Sequence, residues 1–306
     1  MAKKTYDNTF VEGELIDLSD MISLVSPTDT PLYTLVSGRG QISQANDITV
    51  TWREKALNTD RGTLIMEGAE AGDPISSSRT SKSNIAQIME KVTSVSGTVR
   101  ALAAQGVGDE FMQEIEDRMV EMKRDAEWYF LNGTKTLEDE GTSTPRQMDG
   151  LLNLVANAKD LSGKTSNIGV LEENDMLDVM QNIWDAGAQG EYFCFLNAGE
   201  KRIVNDILKS GSNTRLIVEE GDNVMGVKVS AVDSDFGTIN FVLDRHMASG
   251  QMLFADLDLV EIAEVRSPFY EDLAKTGDYS KGHVVVENTI KLLNSQAGGK
   301  IIGINE

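Results

Sequence analysis

The longest regular pattern of apolar and polar positions runs from Asp109 to Leu131. Asp109 is a suitable N-cap for a helix there, and Gly133 can end that helix in a left-handed turn. At about 1.5 Å per residue the helix is about 35 Å long, the width of a small domain. Such a helix, preceded by a long segment with no visible core, is typical of a scaffold for contacts with other copies. Its apolar positions recur at the steps of three and four that place them in one stripe: Phe111, Met112, Ile115, Met119, Met122, Ala126, Tyr129 and Phe130.

Two strand-like stretches flank a polar segment between residues 45 and 95. Ile48, Val50 and Trp52 alternate with polar residues, which predicts a strand with one apolar face. After a polar, glycine-bearing middle, residues 84–98 return as a second leg. The pattern predicts a long two-stranded loop, and because an isolated ribbon is only marginally stable in water, it must lie on another surface. A disordered surface loop is the alternative, although Trp52 would be unusual in one.

Residues 1–44 have the pattern of an arm. Four apolar residues between Leu15 and Val25 predict a short amphipathic helical turn, and Pro27 and Pro31 then disfavour helix in the residues before them. Leu32, Tyr33, Leu35 and Val36 follow these prolines. We expect these four side chains to be exposed unless another element or another copy covers them.

From about residue 171 the pattern changes to alternating helices and strands. It predicts one helix near residues 174–186 and a buried strand at 192–196. A second helix opens at Asn197, with Glu200 placed as in a capping box. This part is predicted to be a mixed α+β lobe with a core of its own. Further strands are predicted at residues 216–219, 224–232, 238–244, 251–255, 257–265, 284–293 and 300–304.

The charge balance limits the classes of function. The chain has 28 basic and 49 acidic residues, a net charge of −21. A protein that grips phosphate backbones needs a basic face, and no cluster of five or more Lys and Arg residues occurs. The acidic surface fits either solubility at high concentration or a wall that lies near nucleic acid without binding it, and the sequence does not choose between the two.

Residues that carry chemistry are few. The single cysteine, Cys194, lies in an apolar run, and the only histidines are His246 and His283, so we expect no zinc site of the usual kind. No apolar run approaches the roughly 18 residues of a membrane helix, so we expect no membrane partner. The N-terminus has no apolar segment typical of a secretory signal, which predicts synthesis in the cytoplasm.

One segment resembles a nucleotide-binding loop. Residues 158–165, Ala-Lys-Asp-Leu-Ser-Gly-Lys-Thr, match the phosphate-binding pattern with alanine in place of the first glycine. That loop needs a helix after it, and residues 166–170 do not begin one. Asp256 and Asp258 fall on one face of a predicted strand, where they would either hold a calcium ion or be solvated. We expect neither a cofactor nor a metal.

Several short strings resemble, in order, the major capsid proteins of tailed bacteriophages in the group typified by phage SU-ten. The likeness covers most of the chain, although none of its motifs is chemically diagnostic. The strings are Asp17 to Ile22 with Ser26 to Leu32, Asn84 to Ile88 with Val95 to Thr98, Arg124 to Glu127 on the long helix, Asp272 to Asp278, and Glu287 to Thr289.

The resemblance implies an α+β fold of the kind first described for phage Hong Kong ninety-seven, with an N-arm, an extended β-loop, a long spine helix in a peripheral domain, and an axial domain. On this sequence it places the arm at 1–44, the extended loop at 45–95, and the peripheral domain at 96–170 with the spine helix at 109–131. The axial domain falls at 171–254, and the C-terminal strands at 255–306 complete the peripheral domain.

The resemblance also implies a function. The chain would be a structural subunit, not an enzyme, that self-assembles into pentamers and hexamers of an icosahedral phage head around double-stranded DNA, without sequence-specific contact. The expected partners are other copies, a separate scaffold protein (because the signature begins almost at Met1), a portal and a decoration protein. The protein would be found in the virion, and in the host cytoplasm during assembly.

Two alternatives stay open from the sequence. One is an encapsulin-like shell protein of a nanocompartment, and the other is an oligomeric nucleotide-binding enzyme, which only residues 158–165 favour. For the capsid hypothesis, Leu32, Tyr33 and Trp52 are the predicted contacts with other copies. The alternative for these three residues is packing within their own subunit.

Overall fold

Two β-sheets and one long helix organise the computed structural model of this chain. It describes residues 29–57, 62, 64–72, 76–101, 109–139, 141, 143–188, 190–210, 218–219, 223–224 and 227–305. The predicted turn of helix between Leu15 and Val25 lies outside these residues. No helix within the described ranges is long and apolar enough to cross a membrane.

The first sheet has four strands in the described part of the chain and carries the long helix. Its order is β1-β12-β13-β4. The long helix, α3 (Glu110–Asn132), packs on β4 and β13. It is the predicted spine helix, displaced by one residue. The strands are β1 (Ile42–Gln44), β4 (Gln87–Ser96), β12 (Val260–Asp272) and β13 (Tyr279–Leu292).

The second sheet is larger and mixed. Its order in the described residues is β5-β14-β11-β6-β10-β9-β7, with β8 paired to β9. β6 pairs in parallel with β10 and antiparallel with β11. The strands are β5 (Asn157–Asp160), β6 (Tyr192–Leu196), β7 (Val218–Glu219), β8 (Asn223–Val224), β9 (Val227–Ser234), β10 (Gly237–Leu243), β11 (Gln251–Asp256) and β14 (Gly298–Ile302).

Strand β6 shows how the larger sheet separates two cores. All five of its residues are buried, and alternate side chains point to opposite faces. Phe193 and Phe195 join the core that also contains the spine helix, whereas Tyr192, Cys194 and Leu196 join a second core beneath two helices. Those helices are α5 (Glu173–Asp185) and α6 (Ala198–Ser210). A strand covered on both faces is apolar throughout, which explains the unbroken run in the sequence.

The remaining helices are short. They are α1 (Pro31–Gly38), α2 (Gly97–Ala101) and α4 (Leu151–Leu154). Helix α1 meets the condition attached to one prediction, because another element covers Leu32, Leu35 and Val36, which are fully buried in the core of the spine helix. The cover comes from the same chain, from the spine helix and from strands β9 and β12.

The ends of the spine helix confirm one prediction and correct another. Asp109 is the N-cap, and its side chain accepts a hydrogen bond from the backbone N–H of Phe111 at 3.1 Å. Gly133 follows the helix, but its φ of −52° is not left-handed. Glycine is needed here because a Cβ atom would lie 2.6 Å from the carbonyl oxygen of Tyr129 and 2.7 Å from that of Met148.

The predicted two-stranded loop is present. Strands β2 (Thr49–Lys55) and β3 (Arg79–Ile85) pair antiparallel over their whole length, with Thr49 opposite Ile85 and Lys55 opposite Arg79. Along β2 the side chains alternate between exposed and half-buried, with Val50, Trp52 and Glu54 on the half-buried face. We call this pair of strands the ribbon, and the residues between Lys55 and Arg79 its tip.

Buried polar contacts hold the base of the ribbon to the first sheet. Asn84 is fully buried; its amide donates to the carbonyl oxygens of Asp149 and Ile290 at 2.9 and 2.8 Å. Its side-chain oxygen accepts from the N–H groups of Ile85 and Asp149 at 2.9 and 2.8 Å. Strand β4 begins three residues later, at Gln87. The direction in which the ribbon leaves the sheet is therefore fixed by a side chain whose hydrogen-bonding capacity is fully used.

Strand pairing divides the chain somewhat differently from the expected domains, whose names and limits remain a prediction. Strands β12 and β13 pair with β4 beside the spine helix, as expected for residues after 255. Strand β14, however, lies in the larger sheet between β5 and β11. Strand β5 also lies in the larger sheet, although the expected peripheral domain, 96–170, puts it with the spine helix. The sequence could not show this, since both strands are short and their partners are far away in the chain.

We predict that Asn84→Ala lowers the free energy of unfolding by about 2–3 kcal/mol, because it leaves buried backbone donors and acceptors without partners. Urea unfolding of the full chain measures this. Asn305→Ala is the matched control, since Asn305 makes one exposed hydrogen bond to the carbonyl oxygen of Ile168. That control should change stability by less than about 0.5 kcal/mol. Equal effects of the two substitutions would contradict the role given to Asn84.

Candidate assembly surfaces

The tip of the ribbon exposes three consecutive large apolar residues. Leu64, Ile65 and Met66 are 98, 67 and 86% exposed, and Leu57 nearby is 76% exposed. Single exposed apolar side chains are ordinary on a protein surface, but a contiguous group at the end of a projecting element marks an interaction surface. The tip therefore has the character of a contact that the single chain does not complete.

The half-buried face of the ribbon lies against its own subunit. The carboxylate of Glu54 accepts hydrogen bonds from the backbone N–H and the hydroxyl of Ser295, at 2.8 and 3.0 Å. On the other strand, Lys135 donates to the carbonyl oxygen of Ser83 at 2.9 Å. Trp52 is on the same face as Glu54 and is half-buried. The structure thus places Trp52 against its own chain and leaves part of its surface uncovered.

Leu32 and Tyr33 have different surroundings although they are neighbours in helix α1. Leu32 is fully buried in its own subunit, so the expectation that it contacts another copy is wrong and the alternative holds for it. Tyr33 is half-buried and stacks on Phe130 with ring centroids 6.5 Å apart, while Lys123 lies 5.5 Å from its ring centroid. Its contact with another copy stays a prediction.

The spine helix leaves part of its predicted stripe uncovered. Met122 is buried, but Met112 and Met119 are 54 and 40% exposed. These two methionines are seven residues apart, about two turns, and so lie on one line along the helix. Methionine adapts its shape to irregular partners, which suits a contact surface better than a fixed pocket. Met112 and Met119 therefore form a second apolar surface without a partner in the single chain.

A buried carboxyl group joins α1 to the spine helix. Glu127 is fully buried and accepts hydrogen bonds from the backbone N–H groups of Leu32 and Tyr33, at 2.6 and 2.8 Å. These N–H groups belong to the first turn of α1, where donors have no partner within the helix. Thr30, the N-cap residue, makes no capping side-chain hydrogen bond. Glu127 caps this helix from about 95 residues away.

Glu127 also meets a second acid. Asp244, which follows β10, is almost fully buried and hydrogen-bonds with the carboxyl group of Glu127. Burial, followed by the charge of Asp244, raises the pKa of Glu127 well above its ordinary value. Burial also raises the pKa of Asp244, whereas the N–H of His246 and the bond with Glu127 lower it. Glu127 is therefore the partner that carries a proton.

Sequence reasoning missed this pair, although one signal was available. The last turns of the spine helix, residues 126–131, contain five apolar residues and one acid, Glu127. An acid near the C-terminus of a helix is disfavoured by the helix dipole, so it indicates a specific partner. Asp244 gave no comparable signal, because an acid at the end of an apolar strand is common.

The loop that resembles a nucleotide site has another role. Lys164 donates to Asp175 at 2.6 Å and to the carbonyl oxygen of Val170 at 3.1 Å, so its ammonium group is occupied within the chain. Asp175 in turn accepts from the backbone N–H of Glu172 at the start of α5. No helix follows the loop directly; α5 begins only at Glu173. The segment holds the N-terminal end of α5 in place.

The other candidate chemical groups are also used structurally. Asp256 accepts from the N–H of Asp258 at 3.0 Å in a short 3₁₀ turn, and Asp258 pairs with Arg39 at 2.7 Å, so the two acids do not share a strand face. His283 lies 2.5 Å from Glu90, on a neighbouring strand. In the described ranges no three His, Cys, Asp or Glu side chains are arranged to hold a metal ion.

Comparison with known proteins decides the family. The sequence matches the family described as SU10 major capsid protein over residues 3–305. The chain belongs to this family. It is similar to the major capsid protein of Escherichia phage Phieco32, with 24% identity over 94% of this chain and 93% of that protein. The match confirms the resemblance that the short strings indicated.

Solved structures agree with the fold. The capsid asymmetric unit of cyanophage A-1(L) aligns with a TM-score of 0.67 at 13% identity, over 95% of this chain and 97% of that one. The holo-SrpI encapsulin complex of Synechococcus elongatus aligns with a TM-score of 0.63 at 11% identity, over 94% and 93%. At such identities the alignments show the fold alone, which is the predicted Hong Kong ninety-seven-like α+β fold. Fold does not separate phage heads from nanocompartments, but family membership does.

The chain is thus a phage major capsid protein, a structural component of the virion that forms a shell from copies of itself, and not an enzyme. The exposed tip of the ribbon and the uncovered methionines of the spine helix are the described surfaces that suit this role best. The lysines and acids that resembled catalytic or nucleotide-binding groups belong to the internal framework of the subunit.

We predict that Lys164→Ala destabilises the chain by about 2–3 kcal/mol, because it leaves the buried carboxylate of Asp175 without its ammonium partner. Lys159→Ala, which breaks a more exposed pair with Asp178, should cost less than about 1 kcal/mol. Urea unfolding measures both. A fluorescent ATP analogue should bind neither the wild-type chain nor either variant, and saturable binding lost in Lys164→Ala would restore the nucleotide hypothesis.

Proposed function

We propose that the chain builds the pentamers and hexamers of an icosahedral head that encloses double-stranded DNA, and that the tip of the ribbon is the clamp between neighbouring copies. The observation that carries this proposal is the contiguous exposure of Leu64, Ile65 and Met66 at the end of an element whose base is rigidly held. In a closed shell each such contact is repeated around every subunit, so a modest contact gains strength from the lattice.

The ribbon divides into a part that is held by its own subunit and a part, the tip, that is not. The ribbon up to Lys55 and Arg79 is held by Glu54 and Lys135 on its own subunit. Residues beyond that point have no comparable anchor in the described part of the tip. On a neighbouring copy, the line of Met112 and Met119 is an apolar surface of matching character. Tyr33 and Trp52, each half-covered by its own chain, are proposed to border the same contacts.

The other partners follow from family membership and charge. A separate scaffold protein, a portal and a decoration protein are the partners that a tailed-phage head of this family would use. The net charge of −21 supports an inner wall that packaged DNA touches without sequence-specific contact. Repulsion between an acidic wall and phosphate groups would let the DNA move while it is packed.

The proposal predicts that replacing Leu64, Ile65 and Met66 with serine leaves a folded, soluble subunit that does not close shells. The reason is that the three side chains are mostly exposed in the single subunit, so their removal affects mainly contacts with other copies. Negative-stain imaging of the expressed chain, with and without a co-expressed scaffold protein, measures closure. The wild-type chain should give closed particles under at least one of these conditions.

Leu137→Ser is the matched control, because Leu137 is 71% exposed and lies outside the tip of the ribbon, on the connection after the spine helix. It should assemble like the wild-type chain, and the thermal unfolding midpoints of all three proteins should agree within about 2 °C. Closed particles formed by the triple serine variant would show that the tip is not the clamp. Failure of the wild-type chain to close with its scaffold would instead overturn the shell geometry itself.

A further inference from the structure

Two acidic side chains are buried at the junction of α1 with the spine helix. Glu127 and Asp244 are both buried, and each already accepts backbone hydrogen bonds: Glu127 from Leu32 and Tyr33, and Asp244 from His246 at 2.8 Å. The second oxygen of Asp244 receives no hydrogen bond from any N–H or O–H donor in the described chain. Only a proton carried between the two carboxyl groups can therefore join them.

We propose that Glu127 and Asp244 share one proton and act as a pH-dependent latch that fixes the start of helix α1 to the spine helix and the larger sheet. Both side chains lie where the first turn of α1, the spine helix and the residues that follow β10 meet. Residues 1–28 join the described fold at Asp29, one residue before the N-cap of α1. The latch thus controls the point at which the N-terminal arm enters the subunit.

Among the groups around the pair, His246 is the one whose charge favours ionised Asp244, which leaves Glu127 as the member that holds the proton. On the side of Asp244 they are Asp29, which adds negative charge, Arg245, which pairs with Asp29 at 3.6 Å, and His246. On the side of α1, Lys123 lies over the ring of Tyr33, and the charge of Glu264 acts on the same ring. Both members of the Arg245 pair are mostly exposed, so its field at the buried carboxyls is screened by solvent.

The direction of the pH effect follows from linkage. The pKa of Glu127 is raised in the folded state, so its contribution to stability is present at low pH and is lost as the pH rises through the raised pKa. Opening of α1 then releases one proton. Between the ordinary pKa of a glutamate and the raised pKa, the opening equilibrium constant should rise about tenfold per pH unit, and above that pKa it should level off.

The test is amide hydrogen exchange of the segment 31–38 in the full chain, corrected for intrinsic exchange rates, between pH 5 and pH 9. In the wild-type chain, opening of α1 should increase with pH. Glu127→Gln should remove this dependence, because its amide group donates to Asp244 without a titratable proton, although its single oxygen accepts from only one of the two N–H groups of α1. Asp244→Asn should weaken the dependence, since it removes the charge beside Glu127 and leaves the burial of Glu127 unchanged.

Two further variants keep the test decisive. Glu54→Gln changes another carboxylate, which accepts two hydrogen bonds from Ser295 and pairs with Lys82 on the ribbon, far in the sequence from α1, so the pH dependence of α1 opening in this variant should match the wild type. Glu127→Ala should open α1 at every pH. The proposal fails if wild-type opening is independent of pH, or if Glu127→Gln opens with the same pH dependence as the wild type.

Discussion

A two-stranded ribbon has no core of its own, and the rest of this subunit is arranged around that constraint. Asn84 fixes the base of the ribbon to Ile290 of the four-stranded sheet and to the backbone of Asp149, and Glu54 holds the half-buried face of the ribbon on Ser295. These contacts stop at Lys55 and Arg79. Beyond them the described residues of the tip present Leu64, Ile65 and Met66 to solvent, the surface proposed to contact a second copy. The subunit is stable where it packs on itself and incomplete where it projects, as a protein that assembles with its own copies requires.

A second attachment lies just before the ribbon in the sequence, at helix α1. Helix α1 is part of the core, and its N-terminus is capped by a carboxyl group of the spine helix instead of by its own Thr30. Because the capping acid lies beside Asp244, the attachment of α1 is tied to a proton, which makes it sensitive to pH in a way that neutral capping groups would not allow.

The sequence predicted the elements that have a local signature. The spine helix, the ribbon and the buried strand β6 follow from period, alternation and an unbroken apolar run, and the resemblance to phage capsid proteins supplied their order in space. The features that the sequence did not predict depend on contacts between residues that are far apart in the chain. Leu32 was expected to face another copy because its cover, the spine helix, begins about 80 residues later. Gly133 was assigned a left-handed turn, whereas the close backbone of Met148 explains it. Lys164 matched a phosphate loop, but its partner Asp175 decides its role.

The central claim is that the tip of the ribbon is covered by a neighbouring copy in the assembled shell. A cryo-electron microscopy map of closed particles, at a resolution that places side chains, tests it most directly. The account predicts that Leu64, Ile65 and Met66 lie on the apolar surface of an adjacent subunit, while Leu32 remains inside its own. A map in which the tip folds back onto its own subunit, or extends into solvent without contact, would contradict the account.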